Sequence, residues 1–323
     1  MKSKVKRRAV SKKISIDVCV ATYRRPGLLG ELLKSLARQK LGGIRARVIV
    51  VDNDREGSAR AVVQAFRREA PFPVVYAREE TQGISYARNR ALDLVRSPAF
   101  AFLDDDETAH PDWLRLLWES LESHGADAVF GRVRRLVPAG APAWAVNHYL
   151  IHPPQFTTGQ PVIVGPTNNV LVRAASLGEP PLRFDPAFAL TGGSDSDFFY
   201  RLHLSGKKLI RCAEAVVDDH WLPERLSVNW ICRRGWRAGQ SYTRVFVSRK
   251  SPAGKAAWIV SCLVLMLGGT LALPFVWLVS RSASVSLLTR VCYYAGKLSA
   301  LFGSGLYFQE YAAHRASVEP AHA

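Results

Sequence analysis

Three consecutive aspartates, Asp104, Asp105 and Asp106, follow an apolar run, Phe100-Ala101-Phe102-Leu103, and Glu107 comes next. The apolar run predicts a buried strand, with the aspartates where that strand leaves its sheet. Side chains alternate along a strand, so Asp104 and Asp106 are expected on one side and Asp105 on the other. Two carboxylates on one side of a strand end suit a hard divalent cation. Mg2+ or Mn2+ takes one or two carboxylates and fills its remaining positions with phosphate oxygens and water. A solvated acidic turn has the same composition, but such turns seldom follow so apolar a strand. The chemistry expected is cation-assisted handling of a phosphorylated substrate.

The elements that must position these groups can be read on either side. Strand-like residues 14–21, 47–51, 74–76 and 99–103 alternate with helical patterns over 28–39, 58–68 and 85–95. Strand–helix alternation argues an α/β fold with a doubly wound, mostly parallel sheet. Ligands of such sheets bind outside the carboxyl ends of the strands. Thr22, Asp52 and Asp104 each follow a different strand and are expected to converge there. Asp52 also fits a plain turn, since Asp-Asn-Asp clusters favour turns. Beyond the aspartates the pattern loosens. Helices are expected over 111–123, 198–205 and 226–237, strands over 128–133, 168–173 and 216–220, and a long Pro- and Gly-rich loop over 138–166.

The chain of 323 residues carries a formal charge of +17, which points to nucleic acid, anionic lipid or phosphorylated small molecules. Residues 1–13 form a basic tail, expected to be solvated or drawn to an anionic membrane. No aromatic residues interleave there to stack bases, which argues against nucleic acid. Five scattered cysteines without a CxxC pair read as reduced thiols of a cytosolic setting. The basic start is not followed by an apolar h-region, so a secretory signal peptide is not expected.

Residues 256–279 contain no charged side chain, and a helix of that length spans about 36 Å, enough to cross a bilayer. Arg249, Lys250 and Lys255 precede it, which places the preceding half on the cytoplasmic side. Residues 284–308 are also apolar but carry Arg290 and Lys297; a second span and an interfacial helix both remain open.

With these residues in place, the chain resembles the family 2 glycosyltransferases of the GT-A fold, especially bacterial enzymes of succinoglycan-type exopolysaccharide synthesis. The resemblance covers residues 14–240. It rests on five motifs in order: Val20-Ala21-Thr22-Tyr23-Arg24-Arg25-Pro26, Val50-Val51-Asp52-Asn53, Gly83 through Ala87-Arg88-Asn89, Leu103-Asp104-Asp105-Asp106, and Gly192-Gly193-Ser194-Asp195. Each is weak alone, and five in order are specific. The resemblance implies a donor half over 14–107, an acceptor half over 108–245 and a membrane-associated region over 246–323 outside the shared fold.

The family implies transfer of one sugar from a nucleotide-sugar, typically UDP-linked, with inversion at the anomeric carbon. By position, Thr22, Tyr23 and Arg24 would line the nucleotide pocket, and Asp52 would accept a hydrogen bond from the base. Arg88 would lie near the donor, with Asp104 and Asp105 beside it. Asp104 and Asp106 would hold the Mg2+ or Mn2+ that bridges the diphosphate, with His220 as a further ligand. Asp195 would be the general base. The reaction needs such groups: negative charge develops on a leaving diphosphate, and the attacking hydroxyl must lose a proton. Gly192 and Gly193 would let the backbone approach the sugar. The family often has Glu-Asp after the glycines, where this chain has Ser194-Asp195. Asp197 is the alternative for the missing carboxylate or for the base itself.

Plainer roles exist for each residue. Asp195 fits a helix cap, Arg88 fits a pair with Asp93 or Glu80, and Trp221, Trp230 and Trp236 fit a core. A nucleotidyltransferase would also use strand-end aspartates, but it opens with a Gly-rich phosphate loop that Thr22-Tyr23-Arg24-Arg25-Pro26 is not. A non-catalytic membrane-associated scaffold is a further alternative. A processive synthase is disfavoured because Arg233-Arg234-Gly235-Trp236-Arg237 replaces its Gln-x-x-Arg-Trp motif. The acceptor expected is a glycan or a lipid-linked glycan, at the cytoplasmic face of the inner membrane, with residues 256–279 as the anchor.

Overall fold

A computed structural model of the protein describes residues 14–248 and 250–303. The first half runs β1 (Ser15–Thr22), α1 (Pro26–Ala37), β2 (Arg45–Asp52), α2 (Arg60–Glu69), β3 (Val74–Arg78), α3 (Ile84–Leu94) and β4 (Ala99–Asp104). Then follow β5 (Glu107–Ala109), α4 (Trp113–Ser123), β6 (Ala128–Leu136), the single turn α5 (Ala143–Val146), β7 (Asn169–Arg173), α6 (Ser194–Leu204) and β8 (Leu209–His220). The chain closes with α7 (Val228–Tyr242), α8 (Pro252–Val279) and α9 (Arg281–Ser299).

One eight-stranded sheet has the order β3-β2-β1-β4-β7-β6-β8-β5. The first four strands are parallel, as the alternation predicted. β7 runs antiparallel to both β4 and β6, β6 and β8 are parallel, and β5 is antiparallel to β8. The sheet is therefore mixed. Its side chains alternate between two cores. Val18, Val20, Val48, Val50 and Leu103 face α1, α2 and α4, while Cys19, Ile49, Val51, Phe100 and Phe102 face α3 and α6. Phe102 meets Phe184 edge-on at 5.7 Å, and Phe184 stacks on Phe198 at 4.2 Å. Each such buried ring contributes about 1.5–3 kcal/mol, so the motif strand β4 is anchored at its middle while its end stays polar.

Three expectations are corrected. The short strand β5 was unforeseen, because three residues carry no periodicity of their own. β8 begins at Leu209 rather than at 216. α6 begins at Ser194 rather than at 198, because Gly192 and Gly193 adopt positive φ (78° and 91°) and turn the chain directly into the helix.

A third, smaller core joins the 137–151 segment to α7 and α9. Ala145, Ile151, Trp221, Leu226 and Ile231 are its buried members, and Val285 of α9 packs on it. Trp221 is thus a core residue, meeting Trp230 at 5.3 Å. Fully buried His148 lies with Nε2 3.2 Å from Thr289 Oγ1 on α9, tying the loop to that helix. α7 and α9 cross closely through small residues: a Cβ on Gly239 would collide with the Tyr293 carbonyl, and one on Gly296 with the Trp236 carbonyl. α8, capped by Ser251 with Pro252 in its first turn, has 28 residues, packs on α9 along one side and has one fully buried side chain, Cys262. Among the described residues it is the one helix long and apolar enough to cross a membrane. The 284–308 stretch falls in α9 and a short turn ending at Gly303; residues 304–308, the basic tail 1–13 and Arg249 lie outside the described residues.

Candidate active site

The carboxyl ends of β1, β2 and β4 lie side by side, with Thr22 paired to Asp52 and Ala21 to Asp104 in the sheet register. Asp104 ends β4, and Asp105 and Asp106 form the turn into β5. Strand alternation therefore stops at Asp104, and Asp105 does not simply point away from its neighbours as expected. Asp105 accepts from Thr22 Oγ1 at 2.7 Å and from Arg25 Nη1 at 3.3 Å. Asp106 accepts from Arg225 Nη2 at 2.6 Å, and the same Arg25 Nη1 lies 3.4 Å from it. Glu107 is buried, accepts from Asn168 Nδ2 at 2.7 Å and stands opposite Asp219 in the β5–β8 pairing.

These acids are short of positive charge. Desolvation by burial, opposed by Arg88 and reinforced by Asp106, Asp105 and Asp195, pushes Asp104 up to about 7. Water still reaches 44% of that side chain, which moderates the burial contribution and leaves the neighbouring carboxylates as the firmer cause. Burial, partly offset by Arg25, pushes Asp105 up to about 6. Burial and the charges of Asp104, Asp106 and Asp219 hold Glu107 well above the usual carboxylate range. Asp219 Oδ1 is buried without a hydrogen-bond partner.

Such a cluster fits a divalent cation. Among the described residues no three His, Cys, Asp or Glu side chains form a ready metal cage. An ion that brings phosphate and water ligands of its own needs only one or two carboxylates, and Asp104 and Asp106 are the residues that could hold it. His220 does not join them. It bonds Thr108 Oγ1 at 3.1 Å and shares its strand face with Asp218, opposite the face of Asp219.

Arg88 is buried on α3. Its Nη1 donates to Ser194 Oγ at 3.0 Å, and its Nη2 lies 3.7 Å from Asp104. The plainer pairings fail: Asp93 is taken by Arg183 and Glu80 by Arg78. Asp195 stands in the first turn of α6, next to Asp104 electrostatically, with its Oδ1 accepting from the Ser196 N–H at 2.8 Å. Gly193 occupies the cap position, so Asp195 is not the cap. Asp197 is held through Oδ2 by Arg201 at 2.6 Å.

Asp52 is fully buried; Oδ1 accepts from the Asp54 N–H at 3.1 Å, and Oδ2 from the Ala59 N–H at 2.8 Å and Tyr76 OH at 3.0 Å. These bonds shape the loop that follows β2. Asn53 in turn holds the Glu79 and Thr81 carbonyls and the Gly83 N–H. Thr22 is likewise buried and braces Asp105. Tyr23 and Arg24 remain at the surface, with the Arg24 guanidinium 5.3 Å over the Tyr23 ring and Nε 3.4 Å from Asp54. Arg24 has φ of 53°, the one positive value outside glycine among the described residues. Such a conformation costs about 1–3 kcal/mol and persists only where the surroundings impose it.

Sequence reasoning missed Arg25, Arg225 and Asp219. Arg25 was visible inside the first motif as the residue before the Pro26 that opens α1. Arg225 meets Asp106 across 119 positions and left no local signal.

The mixed sheet, with its aspartates at a strand end, has the GT-A-like architecture that the motifs led one to expect. The chain belongs to glycosyl transferase family 2, whose model matches residues 17–177. It is 35% identical to the succinoglycan biosynthesis protein ExoM of Rhizobium meliloti, over 90% of this chain and 94% of that protein. A glucosyl-dolichyl phosphate glucuronosyltransferase of Haloferax volcanii is 31% identical over 45% of this chain and 43% of its own length. Among solved structures, the mannosyltransferase PcManGT of Pyrobaculum calidifontis, in complex with GDP-Man and Mn2+, superposes with a TM-score of 0.64 at 17% identity, covering 89% of this chain and 88% of that one. S. aureus TarS 1–349 with UDP superposes at 0.52 and 17% identity, covering 90% and 92%. At these identities the structural likeness speaks for the fold.

Proposed function

We propose that the protein transfers one sugar per cycle from a nucleotide-sugar, with inversion, to a glycan acceptor in exopolysaccharide assembly at the cytoplasmic face of the membrane. The observation that carries this is Arg88, which ties the strand-end aspartates to the α6 start where Asp195 stands. Donor side and acceptor side are thereby held in one frame.

Tyr23 and Arg24, with Asp54, line the nucleotide end, and buried Asp52 fixes the loop behind them. Asp104 and Asp106 would hold Mg2+ or Mn2+, which when bound neutralises charge on the leaving diphosphate. Asp195 takes the proton of the acceptor hydroxyl as its oxygen bonds to the anomeric carbon, on the face opposite the departing nucleoside diphosphate, which keeps the bonding electron pair. Arg88 donates toward the developing charge and keeps Asp104 in register. A UDP donor is favoured by the family resemblance. Largely exposed, apolar α8, with Lys250 just before it and Lys255 in its first turns, supports a membrane anchor and with it a lipid-linked acceptor.

The test is product analysis with a lipid-linked glycan acceptor and a panel of UDP-, GDP- and dTDP-sugars, with and without Mn2+. Release of a nucleoside diphosphate together with a one-sugar-longer acceptor is the expected result. Release of inorganic diphosphate instead would move the protein to the nucleotidyltransferases.

A further inference from the structure

Asp106 is already occupied. Arg225 Nη2 donates to its Oδ2 at 2.6 Å, and Arg225 Nη1 lies 3.6 Å from Asp219 Oδ1, the buried oxygen that lacks a hydrogen bond. One guanidinium therefore spans two carboxylates, one in the turn after β4 and one on β8. The same position would attract a divalent cation. Arg25 also approaches Asp106, but it is shared with Asp105 and leaves Asp106 with a longer contact of 3.4 Å.

Arg225 sits on a single turn, Pro223–Leu226, that connects β8 to α7. Leu226 and Trp221 fix the backbone of that connection in the third core, while 20% of the Arg225 side chain stays exposed. A long, fork-shaped cation on a fixed base can exchange a carboxylate for a phosphate, since both match its donor geometry.

We propose that Arg225 is the resident counter-ion of the donor site. It holds Asp106 in the donor-free protein, yields that carboxylate when cation and nucleotide arrive together, and then donates to the diphosphate. The inference rests on the nucleotide-sugar reading above. Its consequence is ordered binding. If the Arg225–Asp106 pair accounts for about nine-tenths of the donor-free population, the apparent affinity for a bare cation is lowered about tenfold.

The experiment titrates Mn2+ into the full chain in detergent, as wild type, R225Q, R225K and D106N, following free Mn2+ by electron paramagnetic resonance. UDP or GDP is then titrated at saturating Mn2+. The expected signature has opposite signs: R225Q binds bare Mn2+ about tenfold tighter and nucleotide about tenfold more weakly, R225K falls between, and D106N loses Mn2+. A loosened fold would weaken both. Unchanged or weaker Mn2+ binding by R225Q, with Mn2+-dependent nucleotide binding intact in the wild type, overturns the counter-ion role and leaves the nucleotide-sugar reading standing. No Mn2+ binding by the wild type with either nucleotide overturns both.

Discussion

Arg88 Nη1 donates to Ser194 Oγ at 3.0 Å, joining the face of α3 to the first residue of α6. The other terminal nitrogen of this buried guanidinium lies 3.7 Å from Asp104. Two motifs far apart in the chain are thus set relative to each other by one side chain.

Truncating Arg88 removes that frame. R88A is expected to lower kcat/KM about 100-fold, the size of a lost donor at a charged transition state. R88K keeps the charge but not the fork and loses less. Steady-state kinetics beside a thermal melt separates the site effect from loss of fold. Equal kcat/KM in R88A and wild type would mean that Arg88 only fills space.

The raised acids predict a pH dependence of cation binding. Asp104 at about 7 and Asp105 at about 6 are partly protonated in the donor-free protein at neutral pH. A cation must displace those protons, so Mn2+ affinity is expected to fall as pH drops from about 7.5 to 6, with proton release on binding. For stability the sign is opposite. A carboxyl whose folded value lies above its ordinary 3.8 favours the folded state at low pH, and this contribution is lost as pH rises toward about 7. Calorimetry in buffers of different ionisation enthalpy, on wild type and D104N, checks both the proton count and its source. A D104N protein with the wild-type proton release would assign the protons elsewhere.

The crossing of α7 and α9 predicts a sharp difference between glycines. G239A places a methyl group against the Tyr293 carbonyl and the Lys297 backbone nitrogen, and is expected to cost about 1–3 kcal/mol. Gly268 of α8 has nothing within 4 Å of its absent Cβ, so G268A is expected to be neutral or slightly stabilising. Melting curves of the intact protein in detergent decide it. Equal melting temperatures would contradict close packing of α9 on α7.

What could be read ahead of the structure followed from local physics. Apolar runs that stop at Thr22, Asp52 and Asp104 announce parallel strands, and the structure ends β1, β2 and β4 at those three residues. Which of their oxygens stay open is decided by distant partners. Asp52 Oδ2 is occupied by the Ala59 N–H and the Tyr76 hydroxyl, which lie outside β2. His220 looked like a ligand by position, but strand parity turns it toward Thr108. Arg225 reaches Asp106 only after β8 has crossed the sheet, so no spacing rule marks it. Helix α6 begins early because two glycines permit positive φ, a conformational freedom that a periodicity count ignores.

The central claim is that a donor held at Asp104 and Asp106 is attacked by an acceptor deprotonated at Asp195. The most direct measurement compares D195N with the wild type for nucleotide binding in the presence of Mn2+ and for sugar transfer to acceptor. The account predicts unchanged binding and a transfer rate lowered by about 100- to 10,000-fold, the span that a general base contributes. Transfer at the wild-type rate in D195N would contradict it.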